Sequence, residues 1–253
     1  MCWSGEASLV LASTGIIGTG YAMYKKEPTA LWVALGYFSS MELLQAFTYS
    51  VINQCDNPAN QIATLLGYLH ITFQPFFINA VSLYFINQKV ARKIAPFVYI
   101  CCFAAAILML IQLYPFAWAG QCDVRRPLCG DMLCSVRGSW HIAWLVPTNG
   151  IGNLLTRHGI FFFDNGFPGY VIASFILPIL YGSWRCTAYH LLFGVYLANA
   201  TTNNINEWPA IWCLLSIAIL LIVVKTPIRK MLHVRHWILW PKSWLDKPAH
   251  IPS

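Results

Sequence analysis

Residues 31–52 read LWVALGYFSSMELLQAFTYSVI, an apolar stretch with one acid, Glu42, at its centre. The stretch is long enough to cross a bilayer, because about 20 helical residues span a hydrocarbon core of roughly 30 Å. Glu42 is the only acidic or basic residue that the hydropathy pattern places well inside such a span. A charge at that depth is costly unless it is compensated, so we interpret Glu42 first as a functional residue.

The rest of the chain repeats this apolar pattern. Of its 253 residues, 58% are hydrophobic and 10% are charged, which is typical of an all-α, polytopic membrane protein. We predict a membrane domain over residues 1–230 and a basic, aromatic interfacial tail over residues 231–253. No positive residue precedes the first span and no small-residue cleavage pattern follows it, so we expect that helix to be retained. Seven membrane-spanning helices are predicted, at 7–24, 28–53, 60–86, 95–114, 167–184, 186–200 and 209–224.

Basic residues in the connecting loops set the predicted orientation. Lys25 and Lys26 follow the first predicted helix, and Lys or Arg also follows the third, fifth and seventh. The loops at 54–58 and 200–207 carry neither. Because cytoplasmic loops retain Lys and Arg, we predict an N-terminus outside and a C-terminus in the cytoplasm. The net charge of +7 then reflects this topology, with the lipid bilayer as the expected partner of an integral, multi-pass protein and no nucleic acid.

Four cysteines on the predicted outer side are disulfide candidates. Cys55 lies in the second loop, and Cys122, Cys129 and Cys134 lie in a long outer loop at residues 115–166. An outer compartment can be oxidising, and the spacing of the three loop cysteines is not a zinc-finger pattern, so disulfides are favoured over a metal. The loop also contains an apolar segment that is too short to span, and we expect it to fold as a cap.

Polar residues on the second and third predicted helices define a candidate site. Glu42, Gln45 and Tyr49 are spaced i, i+3 and i+7, which places them on one face of the second helix. His70 and Gln74 share a face of the third helix. A short turn joins the two helices, and Glu42 and His70 lie at similar distances from it, so we predict that they are neighbours. The alternative for His70, Gln45 and Gln74 is hydrogen bonding between helices without a ligand.

Further candidate residues lie at the predicted outer end of the helical bundle and on the sixth helix. Glu6 begins the first helix, His141 lies in the outer loop, and Cys186 and His190 share a face of the sixth helix. Imidazole, thiolate and carboxylate are common zinc ligands, and a catalytic zinc site keeps one position for water. Glu6 also has a simpler interpretation, because an acid near a helix N-terminus is favoured by the backbone dipole.

Two short motifs resemble a known family. CWSGE at residues 2–6 precedes the first span, and CTAYHLLFG occupies residues 186–194. Together with seven helices and an outer N-terminus, they resemble the CREST superfamily of seven-helix membrane hydrolases, in particular the alkaline ceramidases. The resemblance implies zinc held by His70 and His190, and calcium bound near Glu6. Cys186 stands where that family has a first histidine, and a thiolate is a competent but softer zinc ligand.

Two functions follow as hypotheses. The first is a metal-dependent membrane hydrolase that acts on a lipid amide or ester, with zinc on His70, His190 and Cys186 and with Glu42 as the base for metal-bound water. Around them, Glu6, Gln45, Gln74 and His141 would contact substrate or the metal ligands. The alternative is a non-catalytic receptor or a structural subunit of a membrane protein assembly, with a buried Glu42–His70 pair. A proton- or ion-coupled pathway ranks last, because the inner half of the helices is apolar.

Overall fold

The computed structural model describes residues 3–156 and 166–245, which are mostly helical. Two of the helices contain π-helical segments, at Ile172–Ile176 and Leu191–Tyr196. The helices in chain order are α1 (Gly5–Tyr24), α2 (Thr29–Ser50), α3 (Pro58–Tyr84), α4 (Gln88–Ile111), α5 (Ile151–Thr156), α6 (Pro168–Leu180), α7 (184–201), α8 (Trp208–Lys225), α9 (Ile228–Leu232) and α10 (Lys242–Leu245).

The predicted helices and the observed ones occupy the same parts of the chain. Helices α1 to α4 and α6 to α8 overlap the seven predicted spans, with most boundaries within a few residues and the start of α4 seven residues earlier than predicted. By length and composition, however, only two helices of the described chain could cross a membrane, Gln88–Ile111 and Ile205–Lys225, and Pro168–Leu180 is apolar but shorter. Buried polar residues reduce the apolar character of α2 and α3, so the structure establishes a mostly helical fold and not seven crossings.

Helix α1 packs closely against α2 through its glycines. A Cβ on Gly15 would lie 2.0 Å from Ser39 Oγ, and a Cβ on Gly5 would lie 2.9 Å from the Tyr49 Cβ. Small residues at such contacts let two helical backbones approach each other. The two contacts fix α1 antiparallel to α2, and Ser8 therefore lies against the polar stripe of α2.

Polar side chains join α3 to the helices beside it. Tyr170 on α6 donates to Gln74 Oε1 at 2.6 Å, and Gln74 Nε2 donates to Cys213 Sγ on α8 at 2.9 Å. Further inward, the Tyr181 hydroxyl donates to Asn79 Oδ1 at 2.9 Å. Bonds of this kind fix the relative position of packed helices. The side-chain amide of Gln74 is thus used at both ends within the helical bundle.

The described part of the loop at residues 115–166 folds as a cap on one end of the bundle, and it brings the only strands of the described chain. Strands β1 (Cys134–Arg137) and β2 (Ile142–Leu145) form an antiparallel hairpin. The buried Trp144 ring of β2 packs against α3, where a Cβ on Gly67 would lie 3.3 Å from the indole. Asn60 Nδ2 donates to the Ser135 carbonyl at 2.9 Å. The hairpin is therefore attached to the outer end of α3.

The four predicted disulfide cysteines are paired. Cys55 bonds to Cys134, which links the α2–α3 turn to β1. Cys122 bonds to Cys129 within the cap. The disulfide prediction is confirmed, and both bonds lie at the same end of the bundle.

The C-terminal tail packs on the opposite end of the bundle through its tryptophans. Trp237 Nε1 donates to the Leu180 carbonyl at 3.0 Å, and Trp240 Nε1 donates to the Tyr181 carbonyl at 2.9 Å. The predicted tail continues over residues 246–253, which lie outside the described residues. The part that is described is attached to the helices rather than separate from them.

Candidate functional site

Glu42 and Gln45 lie side by side on α2 and are completely buried. By strict geometry, neither end of the Gln45 amide and neither carboxyl oxygen of Glu42 has a hydrogen-bond partner in the described chain, and the one group near enough to donate to the Glu42 carboxyl is the Ser8 hydroxyl of α1. Buried polar atoms are nearly always paired in folded proteins, because an unpaired one costs on the order of 1–3 kcal/mol. Apart from the Ser8 contact, the buried polar atoms of Glu42 and Gln45 are therefore not explained by contacts between helices in the described chain.

His141 supplies a third buried polar group from the cap. Its Nδ1 accepts from the Ile142 backbone N–H at 2.8 Å and lies 3.0 Å from the Tyr49 hydroxyl. Its Nε2 has no partner among the described residues. Burial lowers the pKa of His141 from 6.5 to about 3, so the ring is neutral near pH 7. Because Nδ1 is an acceptor, the single ring hydrogen lies on Nε2, and His141 presents a buried, unused donor.

Aromatic rings connect His141 to the polar residues of the helices. Trp3 Nε1 donates to Ser8 Oγ at 2.8 Å, while the Trp3 ring lies 5.7 Å from the His141 ring and stacks on Trp140 at 5.6 Å. On the other side, the Tyr49 ring stacks on His141 at 5.8 Å. Trp3 thus bridges α1 and the cap, and the rings cover the outer side of the site.

Glu207 holds the cap segment that carries His141. Its carboxylate, completely buried just before α8, accepts from the backbone N–H groups of Ser139, Trp140 and His141, each at 2.8 Å. It also accepts from the Ser139 hydroxyl at 3.0 Å. Three successive amides on one carboxylate fix the backbone that leads into His141. The sequence offers no signal for this contact beyond an acid at a helix N-terminus.

His70 does not meet Glu42 in the structure. Its Nε2 lies 2.9 Å from the Tyr37 carbonyl oxygen, and its ring stacks on the Tyr37 ring. Tyr37 precedes Glu42 by five residues, which is about 7.5 Å along the axis of α2. The backbone contact places His70 one and a half turns below the acid, so the polar neighbours of Glu42 are Gln45 and Ser8 instead.

The three predicted zinc ligands are not assembled with one another. Cys186 and His190 line one small cavity of about 40 Å³ between α3, α7 and α8, but His70 does not line it. The Nε2 lone pair of His190 is occupied, because it accepts from Trp212 Nε1 at 2.8 Å. No group of three or more His, Cys, Asp or Glu side chains in the described part of the chain is arranged to hold a metal. The residues present therefore do not fit a three-ligand zinc centre.

The remaining predicted site residues lie elsewhere. Gln74 is bonded to Tyr170 and Cys213, as described above, and leaves no atom for a ligand. Glu6 is exposed in the first turn of α1 and lines an open surface depression with Trp3 and Thr14. The predicted calcium site near Glu6 thus has one carboxylate in the described structure.

Comparison with known proteins places the chain in a family. Residues 6–233 match the model for a family of unknown function, DUF5765. The chain belongs to this family. The match covers every helix from α1 to α9 and both strands, so Glu42, Gln45, His141 and Glu207 all lie within the DUF5765 region. No curated protein and no solved structure matches the chain.

Proposed function

We propose that the chain is a multi-pass membrane protein of seven helices with the cap outside. Helices α1 to α4 contain 20, 22, 27 and 24 residues, enough to cross about 30 Å each. The outward face of α4 carries Phe97, Ile100 and Phe103, which are 58–66% exposed. Both disulfides lie at one end, whereas the amines of Lys25 and Lys225 lie over the Tyr21 ring at the other. This polarity suits an oxidising outside and a basic cytoplasmic face.

Epitope tags at the two termini test this topology in intact cells. We expect the N-terminal tag to react without permeabilisation and the C-terminal tag only after it. Two tags on the same side would contradict an odd number of crossings.

Within that bundle, the site supports binding of a small ligand rather than catalysis. The observation that carries this conclusion is the concentration of unpaired atoms. Of nine buried side-chain atoms without a partner in the described chain, five belong to Glu42, Gln45 and His141. Trp3 contacts both His141 and Ser8, and Tyr49 contacts His141 and lies within electrostatic range of Glu42. A receptor-like, non-catalytic protein explains why polar atoms are kept buried and unused, since a bound ligand would pair with them.

Two glutamine variants test this proposal on the purified, full-length protein. In Gln45→Met the side-chain volume is kept and two unpaired atoms are removed, so we expect the unliganded protein to unfold at the same or a higher temperature. The matched control is Gln74→Met, which removes two formed hydrogen bonds and is expected to lower the free energy of unfolding by about 1–3 kcal/mol. If the two variants are equally destabilised, Gln45 has a structural partner and the proposal is wrong.

The lipid hydrolase with a resemblance to the CREST superfamily is the second candidate. The observation in its favour is the cavity shared by Cys186 and His190, two of the three predicted ligands, and zinc binding there would require the Trp212 indole to leave His190 Nε2 and His70 to move to the cavity. Elemental analysis of the protein after purification in detergent tests it directly. About one zinc per chain, lost in His190→Ala, would support it, and hydrolysis of a lipid amide by metal-free protein would contradict it.

A further inference from the structure

We infer that the ligand of the Glu42–Gln45 site is a monovalent metal cation of about the size of sodium. This inference names the ligand class of the proposed binding site and therefore rests on that proposal. It is carried by the chemistry of the unpaired atoms, by the local charge and by the burial of the site.

The atoms available for coordination are hard oxygens. Glu42 offers two carboxyl oxygens, and Gln45 offers its carbonyl oxygen, none of which has a partner in the described chain. The Ser8 hydroxyl, adjacent to Glu42, accepts one hydrogen bond from Trp3 and retains a second lone pair. Carboxylate, amide carbonyl and hydroxyl oxygens suit hard cations, whereas zinc and copper favour nitrogen and sulfur.

The nitrogen of the site is not available as a metal ligand. His141 Nδ1 accepts the Ile142 amide, so its Nε2 bears the hydrogen and has no lone pair in the ring plane. This tautomer excludes direct coordination by the imidazole and separates the site from a histidine-based zinc centre. The Nε2–H of His141 can instead donate a hydrogen bond to an oxygen atom near the ion.

The charge balance selects a single positive charge. Glu42 forms no salt bridge in the described chain. The ion pairs Arg125–Asp123 and Arg229–Glu27 do not involve it. In a medium of low dielectric constant, one carboxylate is neutralised by one monovalent cation, which here takes the place of the proton that a buried carboxyl otherwise holds. A divalent cation on the same three side chains would leave an uncompensated positive charge.

The burial of the site limits the size of the ligand. Glu42, Gln45 and His141 are each 0% exposed, and the rings of Trp3, Trp140 and Tyr49 pack around His141. A dehydrated ion fits such an enclosure better than an organic molecule. Sodium, lithium and potassium differ mainly in radius, so a size preference is expected among them.

Thermal unfolding of the detergent-purified, full-length protein tests this inference. The protein is compared in sodium, potassium, lithium and choline chloride at equal concentration and pH, with calcium chloride added to the choline sample as a further arm. We expect sodium to raise the unfolding temperature above choline by about 3–6 °C when it exceeds its dissociation constant tenfold. The rise should saturate, and calcium should not reproduce it.

Variants separate a bound ion from a general salt effect. Glu42→Gln and Gln45→Met should each abolish the difference between sodium and choline, while Ser8→Ala should shift the sodium titration to higher concentration. Glu6→Gln, at an exposed acid outside the site, should keep the full difference. Equal unfolding temperatures in all salts, an equal response to calcium, or a sodium effect retained in Glu42→Gln would overturn the inference.

Failure of the cation inference is distinguishable from failure of the proposed binding site. If no salt has an effect but Gln45→Met remains as stable as the wild type while Gln74→Met does not, the binding site stands and the cation is the wrong ligand. If Gln45→Met is destabilised as much as Gln74→Met, the binding proposal itself is wrong.

Discussion

Replacement of Glu207 by alanine is expected to release the cap from the helices. The Glu207 carboxylate accepts from the backbone N–H groups of Ser139, Trp140 and His141. Alanine keeps the helix start of α8 but leaves these amides without an acceptor. The disulfide at Cys134 still ties β1 to the bundle, so the expected change is local to the turn and β2.

The loss in free energy of unfolding depends on which of the three N–H groups can bind water once the carboxylate is removed. Ser139 is exposed, so its N–H is rehydrated at little cost, whereas the His141 N–H is buried and the Trp140 N–H is half-buried. A hydrogen bond to a charged acceptor contributes about 1.5–3 kcal/mol. Two such bonds, partly repaid by water at Trp140, give a loss of about 3 kcal/mol in the free energy of unfolding. Glu207→Gln keeps one acceptor oxygen and should lose roughly half of that.

The assay combines denaturant unfolding in detergent with amide hydrogen exchange. We expect a lower unfolding midpoint in Glu207→Ala and faster exchange at residues 139–145, with unchanged exchange in α3. Glu6→Ala is the control, since an exposed acid contributes within about 0.5 kcal/mol. If Glu207→Ala and Glu6→Ala unfold at the same midpoint and exchange equally, the carboxylate does not hold the cap and the reasoning is refuted.

Three further perturbations test other parts of the structure. Cys55→Ser opens a loop of 79 residues closed by Cys134 and is expected to cost about 3–4 kcal/mol under oxidising conditions; an unchanged unfolding midpoint would contradict this. Gly15→Ala, which forces α1 away from α2, should cost about 1–3 kcal/mol, whereas Gly20→Ala, with open space around its Cβ, should be neutral or stabilising. Equal midpoints for these two would exclude the close helix contact. Burial lowers the folded-state pKa of His141 from 6.5 to about 3, so as the pH falls the unfolded chain binds a proton before the folded protein does. The free energy of unfolding is therefore highest, as far as His141 is concerned, above about pH 6.5 and decreases below it. At pH 5 the wild type should have lost about 2 kcal/mol more than His141→Asn, and parallel pH profiles of the two would argue against a buried neutral imidazole.

The sequence predicts the helices well because their signal is local. Apolar runs bounded by polar turns locate all seven longer helices, although the polar first two turns of α4, from Gln88, fall outside the apolar run that predicted it. The disulfides also follow from position, since Cys55, Cys122, Cys129 and Cys134 all fall in loops on one predicted side. The π-helical segments of α6 and α7 leave no comparable mark, because one extra residue per turn does not change the composition of an apolar stretch.

The neighbours of Glu42 are not predictable in the same way. A short turn between α2 and α3 fixes how deep Glu42 and His70 lie, but it does not fix the rotation of either helix about its axis. In the structure that rotation directs His70 to the Tyr37 carbonyl and leaves Glu42 beside Ser8. Depth arguments therefore place Glu42 inside the bundle, as observed, but do not identify the side chains that lie beside it.

The sequence indicates His141 as a possible substrate or metal contact, whereas the structure shows a buried ring beside Tyr49 with a donor that is unused in the described chain. The distance of His141 along the chain from Tyr49 is 92 residues, and a loop of irregular structure separates the two. Contacts of that range depend on how the cap folds, which in turn depends on the disulfide at Cys134 and on Glu207. Neither contact has a spacing rule in the sequence.

The position of Glu207 in the chain determines the order in which the protein can be completed. The amides that it binds lie 66–68 residues earlier, so during synthesis they wait for an acceptor until the chain has emerged almost to its last long helix. A nascent chain that ends before residue 207 already contains Glu42, Gln45 and both cap disulfides, but the amides of residues 139–141 still lack their carboxylate acceptor. The turn that carries His141 can therefore reach its final hydrogen bonding only after residue 207 has been added to the chain.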